Sequence, residues 1–318
     1  MTTISPVNTH GQFEGDVGFS YVFAAEAIRL EIAERLDPIS ESLAVLYGDL
    51  TASGSDVLRI TRYGGVGFHE AMTAMSTETE PIVASGLTTN FDTITLGRYG
   101  LAKEESYQAK ILSREGMINI DALAQLVGPS WLKTLRQQVA STGAGITGVT
   151  GTSGTAWTFD DELDLVAYYH ETEGFDGGVI AVRHPEQFTD LRGSLRTEPN
   201  YQFPEITSAI QELRGAGGAL PTFLGIMNYS SFDVTSSGGD HQGFSYVRGG
   251  IGWVRASTLP VTVEDPDRAI VVPEFGLIIE FKSSGNVATA RFDANAWFGT
   301  GLLDPTLFPQ RRIRSIND

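Results

Sequence analysis

The spacing of apolar positions changes repeatedly along this chain. Residues 1–18 carry Gly, Pro and Asn with few large apolar groups and read as an extended arm. From Phe19 onward, Phe23, Ala27, Leu30, Ile32 and Leu36 follow roughly helical spacing until Asp37-Pro38 interrupts it, and a second short helix is expected through Leu46. Between Val57 and Ile111 the texture becomes strand-like: VLRITRYGGVGF, a polar turn region MSTETEPIVASG, then TTNFDTITLGRYGL. Phe91, Ile94 and Leu96 alternate only loosely with polar neighbours, so this segment reads as a long two-stranded excursion. An isolated hairpin is barely stable in water, which makes another copy of the chain the expected support.

Next, MINIDALAQLVGPSWLKTLRQQVA places Leu123, Leu126, Val127, Trp131, Leu135 and Val139 in one helical stripe. Pro129 costs ~3 kcal/mol inside a regular helix, so a bend or break is expected at Gly128. A Gly/Thr connector, GITGVTGTSGTAW, leads to a helix whose start is marked by Thr158 and Asp161, and Leu163, Val166, Ala167 and His170 line one of its faces. GGVIAVRHPEQFTDL then reads as a buried strand, Val179 to Val182, and a short helix opened by Pro185. Short apolar runs from Pro221 to Phe281 are mostly strand with one possible helix, and the tail ATARFDANAWFGTGLLDPTLFPQRRIRSI is strand, turn and strand. The fold class is therefore α+β.

Composition narrows the function. The chain has 318 residues, 41% of them apolar, which fits a soluble globular protein. The absence of cysteine excludes disulfides, thiolate metal sites and cysteine nucleophiles. No window approaches ~20 uncharged apolar residues, and MTTISPVNTHGQFEGD lacks the regions of a signal peptide, so use without export is expected. The net charge of −17 is concentrated: residues 1–57 hold nine acids against two bases, and residues 158–220 hold twelve against four. Such an excess opposes sequence-specific DNA binding.

Candidate chemistry is sparse. GAGITG, Gly143 to Gly148, has the spacing of a dinucleotide-binding turn, the basis of an alternative as a nucleotide-dependent enzyme. That turn needs a strand before it and a helix after it, whereas a helix precedes it here, which favours a connector. Asp160, Asp161, Glu162 and Asp164 could hold a metal, but carboxylates in a first helical turn are stabilised by the helix dipole, which is the preferred reading. His10, His69, His170, His184 and His241 lack HExxH spacing and read as structural or surface residues. Asp240-His241 beside Ser236 and Ser237 would make a hydrolytic triad only with suitable geometry, and no G-x-S-x-G elbow is present. Arg311, Arg312 and Arg314 are either solvated charges or partners for carboxylates of a neighbouring subunit.

The order of these parts resembles the major capsid proteins of tailed bacteriophages, whose fold is shared with encapsulins. The acidic arm, the stretch MSTETEPIVASGLTTNFDTITLGRYGLAKEESYQAKI and the stripe from Ile118 to Ala140 look like the family's arm, extended loop and spine helix. GGVIAVRHPEQFTDLRGSL resembles a strand and helix of its peripheral domain. FLGIMNYSSFDVTSSGGDHQGFSYVRGGIGWVRAS looks like its axial domain, and FGLIIEFKSSGNVATARFDANAWFGTG like its returning strands. The resemblance implies units at 1–57 (arm with helix), 58–112 (extended loop), 113–220 (peripheral domain with spine helix), 221–284 (axial domain) and 285–318 (return strands of the peripheral domain).

It further implies pentamers and hexamers of this chain in an icosahedral shell around double-stranded DNA, built in the host cytoplasm with a portal and possible scaffold or decoration proteins. No catalytic residue, cofactor or metal is implied. Subunit contacts are expected at Arg62, Glu78, Glu80, Arg98, Lys103 and Glu104 on the loop, and at Arg192, Arg196, Arg311, Arg312 and Arg314 of the peripheral domain and C-terminus. Ser237, Asp240 and His241 are expected at the axial tip near the symmetry axes. Some family members join subunits by a lysine–asparagine isopeptide bond. Here no lysine precedes Lys103 and no asparagine lies in AIVVPEFGLIIE, so a non-covalent shell is expected. An encapsulin-type compartment is the alternative.

Overall fold

Strand and helix alternate along the chain as the apolar spacing does, and the tertiary contacts decide between them where the spacing is ambiguous. A computed structural model describes residues 25–32, 45–50, 55–63, 89–106, 120–171, 178–197, 219–256, 269–284, 289–305 and 308–316. Residues 25–32 form helix α1. The second short helix expected through Leu46 is corrected at its end: Val45–Asp49 is strand β1. It pairs in parallel with β11 (Ile251–Arg255), and the Tyr47 ring packs on Gly252, where a Cβ would lie 2.4 Å from it.

Strands β2 (Val57–Tyr63) and β3 (Thr89–Thr95) form the expected two-stranded excursion in a seven-residue antiparallel register. Its base docks on its own chain rather than waiting for another copy. Ile94 is buried with Leu50, Val254 and Leu303, so apolar burial holds the end of β3. At Gly299, a Cβ would meet the Thr95 carbonyl oxygen at 2.0 Å, so glycine is what permits this approach. The excursion also stops earlier than expected. GRYGLAKEES, strand β4 (Gly97–Ser106), leaves it and pairs along β14 (Thr289–Leu302).

β14 is the centre of a six-stranded sheet ordered β1-β11-β14-β13-β12, with β4 also on β14; β12 is Ala269–Val272 and β13 is Leu277–Ser284. The second sheet has seven strands. Its members are β5 (Val149–Thr150), β6 (Val179–Arg183), β7 (Ala219–Phe223), β8 (Ile226–Ser230), β9 (Ser236–Ser237), β10 (Asp240–Val247) and β15 (Gln310–Ile316). Their order is β5-β15-β10-β6-β8-β7, with β9 on β10. The sheets do not follow the unit boundaries read from the sequence. Residues 221–284 supply β8–β10 to the seven-stranded sheet but β11–β13 to the six-stranded one, and residues 285–318 are likewise divided between β14 and β15.

Helix α2 (Ile120–Ala144) joins the two sheets and runs unbroken through Pro129, against the expected break. Gly128 removes the Cβ that clashes with a following proline ring, and the Ser130 hydroxyl donates to the Leu126 carbonyl at 2.7 Å. Near its middle, Trp131 packs on Phe298 and Trp253 of the six-stranded sheet and on Phe275 of the turn between β12 and β13, to whose carbonyl it donates Nε1–H at 3.2 Å. Removing a buried aromatic of this kind costs about 3–5 kcal/mol. At its end, Gly143 lies against the Phe244 ring of β10, where a Cβ would fall 2.4 Å away. Helices α3 (Phe159–Glu171) and α4 (Pro185–Thr197) cover the seven-stranded sheet through Leu165, Tyr169 and Leu191.

Candidate assembly surfaces and the polar cluster at the head of β10

β15 pairs with β10 over seven residues and buries Gln310, Ile313 and Ser315. Its three arginines are only partly exposed, and each is engaged within the chain. The Arg311 guanidinium lies 4.0 Å over the Tyr168 ring and donates to the Val149 carbonyl at 3.4 Å. Arg312 donates to the Ala144 carbonyl at 3.3 Å, where a cation complements the C-terminal end of α2. Arg314 pairs with Asp240 at 2.7 Å. Asp240 also accepts from the Ser153 hydroxyl at 2.5 Å and the Gly154 N–H at 2.9 Å. Those two donors, with Arg314 behind them, hold its carboxyl below the usual carboxylate range.

Asp240 therefore does not orient its neighbour His241. That ring is buried and contacts Ser236 Oγ through Nδ1 at 2.9 Å and Glu186 Oε2 through Nε2 at 2.5 Å. His184 stacks on it with ring centroids 3.7 Å apart. Burial pushes the His184 imidazole down, the His241 ring adds to this, and Glu186 partly offsets it. The Glu186 carboxyl is held low by its bond to His241. Ser236 sits on the two-residue strand β9 rather than at a strand-to-helix turn. Reading the sequence located His241 but missed His184 and Glu186 as its companions. The only local signal was H-x-E at the start of α4, and the contact itself spans 55 residues.

Thr158 and Asp161 form the expected cap, with the Thr158 N–H and hydroxyl donating to Asp161 Oδ2 at 2.8 and 2.6 Å. The rest of α3 departs from expectation. Leu163, Ala167 and His170 are exposed, while Glu162, Leu165 and Tyr169 are buried. Glu162 is therefore not a solvated first-turn carboxylate. It is fully buried and receives Arg183 Nη2 at 2.9 and 2.6 Å on its two oxygens and Trp157 Nε1–H at 3.0 Å. Gly143 to Gly148 ends α2 and leads into β5, so the element that follows this loop is a strand and not the helix a dinucleotide-binding turn needs.

A scan against known protein families finds no match, and a search of curated proteins finds none. Solved structures do match. A Mycobacterium phage Che8 structure has a TM-score of 0.55 at 14% identity, covering 82% of this chain and 85% of that one. The capsid structure of cyanophage P-SCSP1u gives 0.55 at 13%, covering 87% and 88%. The holo-SrpI encapsulin complex from Synechococcus elongatus PCC 7942 gives 0.53 at 11%, covering 87% and 88%. This chain has the tailed-phage capsid fold, shared with encapsulins.

Within the capsid fold the remaining candidate contact residues are dispersed. Arg62 lies on β2 opposite Asn90 of β3, and Glu78 and Glu80 fall outside the described residues. Arg98, Lys103 and Glu104 lie on β4 in the six-stranded sheet, not on the excursion. Arg98 donates to Asn295 Oδ1 at 2.9 and 3.2 Å and stacks 5.2 Å over Trp297. Arg192 and Arg196 are on α4, where Arg192 is exposed. Ser237 is exposed at the β9–β10 turn, whereas Asp240 and His241 are buried.

Proposed function

We propose that this chain is the major capsid protein of a tailed phage, self-assembling into pentamers and hexamers of an icosahedral shell around double-stranded DNA. The observation that carries the reading is the combination, in one chain, of the β2–β3 excursion, the helix α2 and two sheets, in a likeness spanning 82–87% of the chain. In this reading the excursion extends over an adjacent subunit while its base stays fixed by Ile94, so each subunit carries a stiff arm. Interfaces above ~2,000 Å² of buried surface are expected, as in obligate assemblies. A net charge of −17 keeps packaged DNA from adhering to the wall. Arg98, Arg192 and the tip acids Glu78 and Glu80 are the proposed contact residues, and the C-terminal arginines support the contact surface by fixing β15. Portal, scaffold and decoration proteins are the proposed partners, and assembly takes place in the host cytoplasm. Among the described residues no helix is long and apolar enough to cross a membrane.

The encapsulin match supports a second reading, a compartment that encloses protein. Electron microscopy of the purified protein, with absorbance read for nucleic acid, separates them. Closed particles holding DNA support the phage shell, and closed particles holding protein support the compartment. A subunit that forms no particles with or without a scaffold overturns both. Replacing residues 72–86 by a short Gly-Ser linker leaves β2 and β3 intact. It is expected to yield a folded subunit that fails to form shells, and normal shells from it would refute the arm's role. Denaturing electrophoresis of particles is expected to show single chains, since no lysine occurs in residues 57–95.

A further inference from the structure

We propose that His184, Glu186 and His241 bind one divalent first-row transition-metal ion of the zinc class. The inference rests on the head of β10 and the link from β6 into α4 and does not depend on the capsid reading. One donor atom from each residue lies within 4.8 Å of the others. With bonds of about 2.0–2.1 Å, two ligands of a tetrahedral ion stand about 3.3 Å apart. His184 Nδ1 and Glu186 Oε2 are already 3.7 Å apart. The His241–Glu186 contact of 2.5 Å must open to admit the ion, and because the two rings stack with centroids 3.7 Å apart, the partly exposed His184 ring must also turn to aim Nδ1 at it; the half-exposed Glu186 side chain makes the matching swing while the buried His241 ring stays in place.

The backbones of the two histidines stand on a common frame. Gln187 accepts the His184 backbone N–H at 3.0 Å and donates to the His241 carbonyl at 3.5 Å and the Ile313 carbonyl at 3.4 Å. Gly243 makes room for it, since a Cβ there would lie 2.5 Å from Gln187 Oε1. One side chain thus ties α4, β10 and β15 together, the kind of support that holds donors in position.

Each ring also has a hydrogen-bond contact at Nδ1. His184 Nδ1 accepts the Glu186 N–H only at a long 3.4 Å, a weak bond that a metal ion on that nitrogen would displace. Ser236 Oγ at His241 Nδ1 supplies the outer hydrogen bond that orients a metal-binding imidazole. His241 Nε2 and Glu186 Oε2 already meet in one hydrogen bond, so both donor atoms point at the position that the metal ion would take. Two imidazoles and one carboxylate favour zinc-class ions over calcium or magnesium, which take oxygen ligands. Three protein ligands leave a fourth position open to water or another group.

The test uses untagged full-length protein stripped with chelator, titrated with Co²⁺ and read by visible d–d absorption, followed by displacement with Zn²⁺. One Co²⁺ per chain with a tetrahedral-type spectrum is expected. Ser236→Ala should weaken binding about 10–100-fold, as loss of an outer-shell partner does, and His184→Ala or Glu186→Gln should weaken it further. His170→Ala, on the exposed face of α3, should bind normally. His241→Ala removes a buried ring and can fail to fold, so the decision rests on the other two ligands, with folding checked by circular dichroism. The absence of a site-specific spectrum, or binding unchanged in both His184→Ala and Glu186→Gln, overturns the proposal.

Discussion

Arg183→Met isolates the strongest electrostatic commitment in the seven-stranded sheet. Both side chains of the Arg183–Glu162 pair are fully buried. The guanidinium lies 5.2 Å over Trp157 and 5.6 Å over Phe188, and its Nε and Nη1 find no acceptor among the described residues. Removing the arginine leaves a buried carboxylate with, among the described residues, only the Trp157 indole as side-chain donor. Breaking a buried pair from one side costs about 3–5 kcal/mol, and Glu162→Gln should cost as much because it leaves the guanidinium unneutralised. In the double variant both charges are gone and the Gln oxygen still accepts from Trp157. It should cost only about 1–3 kcal/mol, the penalty of one poorly paired polar group. The double variant is thus expected to be more stable than either single variant. Urea unfolding of the unassembled subunit, followed by tryptophan fluorescence, measures this without contributions from subunit contacts. If the losses simply add, the two groups are uncoupled and the buried-pair argument is wrong.

Gly299→Ala should push β3 away from β14, because its Cβ would meet the backbone oxygen of Thr95 at 2.0 Å. A loss of about 1–3 kcal/mol is expected, with faster hydrogen exchange in β3, and unchanged exchange there would refute it. Arg312→Ala should cost about 0.3–1 kcal/mol, and added salt should shrink the difference if the cation acts on the end of α2. Tyr169 and Tyr246 are buried, and burial pushes both phenols upward, with the Ser245 hydroxyl only partly offsetting this for Tyr169. Their folded values lie above the unfolded value of about 10, so this contribution to stability is complete below pH ~10 and is lost as pH rises toward the folded values. Alkaline absorbance titration should therefore show phenolate from these two of the ten tyrosines only together with unfolding. Smooth titration of all ten with the near-ultraviolet circular dichroism intact would contradict it.

Much of the fold is legible locally. The stripe Val127, Trp131, Leu135 and Val139 is recoverable because a helix buries every third or fourth residue, whereas Leu126 of the expected stripe is exposed. The Thr158–Asp161 cap depends on atoms three residues apart. The excursion is legible up to Thr95, but its end is not, because β3 and β4 have the same strand-like texture and differ only in their partners. The same difficulty hides the unit boundaries. Nothing in FSYV or RRIRSI announces that these strands lie side by side, although 66 residues separate Ser245 from its register partner Arg311. The polar cluster is half visible: His241 and Ser236 are near in sequence, whereas Glu186 arrives on α4, which follows β6, the strand paired with β10.

By itself the sequence determined the α+β class, the absence of thiol chemistry, the acidic charge and the order of excursion, long helix and strands; the arm expected at residues 1–18 lies outside the described residues. These features depend on composition and on periodicities of two to four residues, which neighbours along the chain are enough to express. Only the tertiary structure decided that the C-terminal arginines serve Tyr168, Ala144 and Asp240, that Glu162 is buried against Arg183, and that His184, Glu186 and His241 converge. The physical reason is common to all three. A charged or polar side chain carries the same local signal whether it is solvated or paired, and its state is set by which distant backbone is brought within ~3 Å of it.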